Sequence, residues 1–326
     1  MSVATKAREG NSSSVLAQVA KKACVSSGTV SRVFNNSELI PDGTRSRVLS
    51  AARELGFRPR VGVRTPQIAL ITEPPQKTVM GGYVNTMTQY ICHALSRSDA
   101  TVRMITEDRI DNLVNCWFDG IIGVAWEDHT IEILKGIKNI PVIWLSNLYK
   151  EYFHCIYIDG TETGNLAGDY LVNKGHRRIA VIHDVDYAGH LRADGVGEAM
   201  RRKGIDPAQN LMKIPNSMPL HLAVKQLIDA ECTAVWVTGE DMKVLEVNWL
   251  IQELAGKRVP EDISLMGFEN PGISEFLCPS LTTIASPLHE MAEKAVELVL
   301  RDDLRELRQI KMQVRLIERN SITTIL

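Results

Sequence analysis

From residue 68 onward, short runs rich in β-branched residues alternate with longer stretches of helical period, and that alternation is what most limits the fold. The strand-like runs are Ile68–Thr72, Thr101–Thr106, Gly120–Ala125, Val142–Leu145, Ile179–His183, Ala234–Thr238 and Ser264–Phe268. The helical stretches between them include Tyr83–Ser96, Gly164–Lys174, Arg192–Lys203, Leu220–Ala230 and Met242–Ala255. Strands that alternate with helices pack as parallel sheets covered on both faces. There are too many such units for one small sheet, and 326 residues exceed what one hydrophobic core organises. The expectation is an α/β core of two parallel-sheet subdomains. Nothing repeats at a fixed short period.

The first 67 residues have a different texture. Residues 1–13 are polar and Ser-rich, a mobile tail by composition. Ser14 is placed to N-cap a helix over Val15–Lys22, with Gln18 near the reciprocal capping position. Ala23-Cys24-Val25-Ser26 is long enough only for a tight turn, after which Ser26 caps a helix over Ser27–Phe34. A third helix runs from about Gly43 to Leu55, with Val48, Ala52 and Leu55 on one face and Gly56 as its stop. Three short helices, the first two joined by a tight turn, describe a small all-α helix-turn-helix module.

Charge divides along the same line. Residues 1–64 hold eleven Lys and Arg against four acids, a balance of +7, while the remainder holds 26 against 35, a balance of -9. A basic head on an acidic body suits a phosphate-binding module, and a solvated basic surface fits the same count. The start of the chain lacks the apolar segment of a secretory signal, and no run approaches the roughly 18 apolar residues of a membrane-spanning helix. Six scattered cysteines with no CxxC pair fit reduced thiols inside a cell better than disulfides or a zinc site.

The stretch AQVAKKACVSSGTVSRVFN, followed by TRSRVLSAARELGFRP, closely resembles the head of the LacI/GalR family of ligand-responsive transcription repressors. Val19-Ala20, Ala23, Val25-Ser26, Thr29 to Val33, Asn35, Thr44-Arg45 and Glu54 to Pro59 fall in register with its pattern. The resemblance continues through Phe118 to Ile122, Ile140 to Ile143, Gly175 to Ala180, Val259 to Ser264 with Gly267-Phe268, and Leu281 to Ile284. It implies a periplasmic-binding-protein-like core crossed by the chain three times, near Ile158, Ala285 and Gln309. The expected division is a tail at 1–13, a DNA-binding head at 14–59, a short hinge at 60–67 and an effector-binding, dimerising core at 68–326. Within that core, subdomain 1 takes about 68–157 and 286–309, and subdomain 2 about 158–285 and 310–326.

The resemblance also implies how the head meets DNA. Phosphate contacts position a helix-turn-helix and base edges specify its site. Ser14, Ser26, Thr29, Ser31 and Asn35 are the expected backbone contacts, Ser14 and Ser26 doubling as caps. Ser27 and Gly28 open the second helix where base readers belong, and Arg32 follows one turn on. An Arg can take both acceptors of guanine, so specificity leans on Arg32 and on DNA shape. Two departures stand out. Cys24 occupies the turn position where the family has Gly. The stretch after Pro59 is about half a dozen residues short and lacks the Leu that wedges into the minor groove. Arg60 and Arg64 remain to lie along phosphates or in a narrow minor groove.

For the core, the resemblance implies a small effector beyond the carboxyl ends of the strands. By motif register its contacts are Ser146, Arg192, Glu240, Glu269 and Ser286. Arg192 either faces this pocket or makes a surface ion pair at a helix start. Trp126, Trp144 and Trp236 lie near strand ends, either as core or as rings on which a sugar stacks. No GxGxxG follows a strand, no GxxxxGK[ST], GxSxG or HExxH occurs, and neither His183 nor His190 has a nucleophile partner evident in the sequence, so an enzyme is not expected. No metal or cofactor is expected beyond the effector.

The expectation is a cytoplasmic, nucleoid-associated repressor. Its partners are a pseudo-palindromic double-stranded DNA operator, a sugar-like metabolite and a second copy of the chain. Arg315–Leu326 matches the family's closing strand, with no leucine heptads after it. The rival readings are a relative with degenerate DNA binding and a transport-type sugar-binding protein.

Overall fold

The structure is a computed structural model that describes residues 15–35, 39–57, 65–77, 81–137, 140–239, 241–301 and 306–325, without the side chains of 114, 115, 241 and 242. Ser14, Arg60, Arg64 and Glu240, with most of the expected hinge, lie outside the described residues.

The head consists of α1 (15–22), α2 (Ser27–Phe34) and α3 (Asp42–Glu54). Ser26 has extended backbone and its Oγ accepts the Thr29 amide at 3.1 Å, so α2 starts where its sequence cap predicts. Cys24 sits in the turn at φ 55°, the left-handed region that disfavours a side chain. After α3 the Phe57 amide reaches back to the Ala52 carbonyl at 2.9 Å, which returns Phe57 to the apolar centre. Val19, Val30, Val33, Phe34, Val48 and Leu49 fill that centre.

Two six-stranded sheets follow. The first contains β1 (Gln67–Thr72), β2 (Thr101–Thr106), β3 (Gly120–Val124), β4 (Val142–Trp144), β5 (His154–Ile158) and β11 (Gln309–Met312), in the order β11-β5-β4-β3-β1-β2. Helices α4 (Tyr83–Ser96), α5 (Asp128–Lys135) and α11 (Leu288–Val299) belong to the connections. The second contains β6 (Ile179–His183), β7 (Leu211–Pro215), β8 (Ala234–Val237), β9 (Ser264–Phe268), β10 (Thr282–Ala285) and β12 (Arg315–Ile317), in the order β12-β10-β9-β8-β6-β7. Its connections include α6 (Gly160–Asn173), α7 (Tyr187–Arg202), α8 (Pro207–Asn210), α9 (Leu220–Asp229) and α10 (Asp241–Trp249), the last continued by a π-helical turn over Leu250–Leu254. Pairing is parallel from β2 through β1, β3 and β4 to β5, and from β7 through β6, β8 and β9 to β10. β12 joins β10 antiparallel, with Ile284 opposite Leu316. The inner strands are buried on both faces, which is why β1, β3, β6 and β8 read as continuous apolar runs.

The chain divides into two compact units. One gathers Met1–Thr78, Met87–Ile156 and His289–Ile310; the other gathers Val79–Thr86, Tyr157–Leu288 and Lys311–Leu326. In the first unit, the buried Glu107 carboxylate accepts the amides of Trp126 at 2.9 Å and Glu127 at 2.6 Å, fixing the chain that enters α5. Burial pushes this carboxyl up. In the second unit, α6 and α7 pack backbone to backbone. A Cβ on Gly164 would lie 2.0 Å from the Arg192 carbonyl, so only glycine permits this spacing.

Candidate functional site

The polar residues of α2 share one side of a short helix. Val30, Val33 and Phe34 turn inward, leaving Ser26, Ser27, Gly28, Ser31, Arg32 and Asn35 exposed and Thr29 half-buried. The Ser26 and Thr29 hydroxyls lie 3.0 Å apart and pre-form the first turn. A Cβ at Gly28 would meet only Ser26 Oγ at 3.8 Å, so the fold itself makes no demand for glycine there. Glycine at that place lets a close external surface approach the helix backbone. The side chains near the amino end are short, and Arg32 is the long donor on this face.

The residues singled out in the second unit come from elements distant in sequence. Asp186 starts α7 by accepting the Gly189 amide at 2.6 Å, so Arg192 lies inside the helix rather than at its start. Arg192 Nη1 donates to the Thr238 carbonyl beyond β8 at 2.9 Å and lies 3.9 Å from Asp184 Oδ2 beyond β6. Its guanidinium stands 4.8 Å from the centroid of Phe268, the last residue of β9, which stacks in turn on Trp236 at 5.9 Å. Burial draws the Arg192 guanidinium down from its ordinary value, with Asp184 opposing. Asn216 Nδ2 donates to Asp184 Oδ1. Three buried polar atoms along this carboxyl edge have no protein partner, namely Arg192 Nε, Thr238 Oγ1 and Asn270 Nδ2. Leaving such atoms unmet costs about 1–3 kcal/mol each.

Glu269 follows Phe268 but does not offer a free carboxylate. Arg319, just past β12, grips it with two bonds, Nη1 to Oε2 at 2.8 Å and Nη2 to Oε1 at 2.7 Å, and the Thr283 hydroxyl donates to Oε2. Arg319 also donates to the Leu281 carbonyl at 2.7 Å. Burial alone would push Glu269 up, but these donors hold it below the usual carboxylate range. Nothing in the local sequence around Arg319 signals this pairing, which depends on the antiparallel return of β12. Ser286 lies between β10 and α11, half-buried. Ser146 belongs to the first unit, where its hydroxyl accepts the Leu148 amide at 3.2 Å. Trp144 and Trp236 are fully buried, whereas Trp126 is 41% exposed.

All six cysteines are free. Among the described residues no cluster of three or more potential ligands could hold a metal ion, and no helix is long and apolar enough to cross a membrane.

Comparison with known proteins agrees with both halves. The family described as bacterial regulatory proteins, lacI family, matches residues 15–60, and the periplasmic binding protein-like domain matches residues 169–322. The HTH-type transcriptional repressor CytR of Escherichia coli strain K12 is 28% identical over 313 residues, covering 90% of this chain and 91% of its own. The HTH-type transcriptional repressor PurR of Proteus mirabilis strain HI4320 is 26% identical over 336 residues, covering 93% and 95%. Among solved structures, the transcriptional regulator CelR in complex with cellobiose matches with a TM-score of 0.68 at 25% identity, over 94% of this chain and 99% of that one. The lac repressor dimer bound to operator and the anti-inducer ONPF shares the fold, with a TM-score of 0.67 at 22% identity over 94% and 98%. The chain therefore joins a helix-turn-helix head of the lacI family of bacterial regulatory proteins to a periplasmic-binding-protein-like core.

Proposed function

We propose that this protein is a cytoplasmic repressor, working as a homodimer, whose paired heads seat α2 in successive major grooves of a near-palindromic operator. A sugar or sugar derivative bound at the carboxyl edge of the second sheet controls it. The domain limits given above, with a head at 14–59, a linker at 60–67 and a core from 68, belong to the same reading. It needs no cofactor and catalyses no reaction.

The observation that carries this reading is the pairing of an exposed face on α2 with the three unmet polar atoms around Arg192. The Arg192 guanidinium, the Thr238 hydroxyl and the Asn270 amide suit adjacent hydroxyl groups, and Phe268 supplies the apolar surface beneath them. The similar regulator CelR is solved with cellobiose, which supports a sugar-like ligand. Ser286 is assigned as a further contact, while Glu269 shapes the site through Arg319. The effector shifts the protein between DNA-binding and released states only as far as its affinities for the two differ.

The test is a thermal-shift screen of sugars, sugar phosphates, sugar acids and nucleosides on the full chain, followed by gel-shift titration on a selected operator. Arg192→Ala should abolish the effector response and leave operator affinity within about twofold. Unchanged ligand affinity in that variant would remove Arg192 from the site.

A further inference from the structure

We propose that Trp117, a core residue, is a positioning residue for the DNA-reading head and seats it on the first sheet. Trp117 lies three residues before β3 and is 3% exposed. The apolar neighbours that bury it belong to the head, with the Phe34 ring meeting it edge to face at 4.8 Å and 83° and the Phe57 ring 5.4 Å beyond Phe34. Phe34 is the last residue of α2. The indole therefore presses on the back of the reading helix, while Ser27, Gly28, Ser31 and Arg32 remain exposed on its front. Docked in this way, the head stays open to DNA.

The other end of the Trp117 stretch is equally fixed. Trp117 Nε1 donates to Asp119 Oδ1 at 3.3 Å, and Asp119 Oδ2 accepts the Gln67 amide at 2.8 Å. The Asp119 amide returns a bond to the Gln67 carbonyl at 2.7 Å. Phe57 closes the head and Gln67 opens β1, so both ends of the chain that joins head to core are tied to Trp117-Phe118-Asp119. The nine residues between them are few enough to keep the head at high effective concentration over its seat. The head alone is a small body with a correspondingly small core, and the indole adds a large apolar surface to it. Trp117 thus supplies the orientation that a longer connecting segment would leave to DNA. Its consequence is that the spacing between two heads is set by the core.

The experiment uses full-length protein and two copies of the half-site selected by the wild type, with the central spacer lengthened and shortened one base pair at a time. Trp117→Ala should weaken binding at the preferred spacing roughly tenfold or more and flatten the dependence on spacing. Trp117→Phe, which keeps a ring against Phe34, should restore both. Unchanged affinity and spacing preference in Trp117→Ala would overturn the proposal. So would an equal loss at every spacing, because that marks a weakened head rather than a misplaced one. Failure of the wild type to select any DNA would instead overturn the operator reading.

Discussion

The exposed face of α2 and the polar edge of the second sheet are both proposed as recognition surfaces, yet they are built in opposite ways. The first draws on ten consecutive residues, Ser26 to Asn35, and keeps its polar side chains in water. The second gathers Asp184, Arg192, Thr238, Phe268 and Arg319 from separate strand ends and a helix, burying Thr238 and half-burying the others. A DNA backbone brings its own charge and water, so the protein need only present donors on an open face. A small ligand has little surface, so its site must be enclosed and its polar atoms held by neighbours until the ligand arrives. Burial makes the second surface costly to disturb, and exposure makes the first cheap to alter.

That contrast can be pressed hardest at Arg319. Arg319→Met leaves the half-buried Glu269 carboxylate without its forked partner, and chemical denaturation should show a loss of about 3–5 kcal/mol. The double variant with Glu269→Met should recover most of it. Because Glu269 titrates below its ordinary value in the folded chain, the pair's contribution is fully present above the ordinary Glu range. It is lost as pH falls through the lowered folded value, so the penalty of Arg319→Met should shrink towards acid.

A smaller and differently placed effect is expected at Arg32. Arg32→Ala should cost about 1–3 kcal/mol of discrimination between operator and scrambled DNA in gel-shift titration, with the unfolding midpoint nearly unchanged. A large stability loss there would erase the contrast between the two surfaces. The smallest effect belongs to the turn before α2. Cys24→Gly relieves a side chain at φ 55° and should stabilise the head by about 1 kcal/mol, read as slower amide exchange in α1 and α2.

The head was legible because its signals are local. Ser26 caps the helix it precedes, the apolar period of α2 and α3 marks their buried faces, and Cys24 stands where the turn calls for glycine. In the core, the long buried strands announced themselves as apolar runs. The helices of the second unit start earlier than the Gly164 and Arg192 read from the sequence, α6 at Gly160 and α7 at Tyr187, and Gly160, Gly164 and Gly195 serve the close packing of these two helices. The edge strands β7 and β11 keep exposed positions and so lack the continuous apolar runs of the inner strands. The sequence singled out Glu269 as an expected effector contact but carried no sign of its capture by Arg319, 50 residues away.

By itself the sequence determined the order of helices and strands, the division of charge between head and core, and the caps and apolar faces that fix the reading helix, since each depends on neighbours within a turn or two. Tertiary structure decided which distant side chains meet: Arg319 on Glu269, Arg192 on Phe268, and Trp117 on Phe34 at the end of α2. Those meetings are set by strand order and helix spacing, which bring together residues that have no mark of one another along the chain.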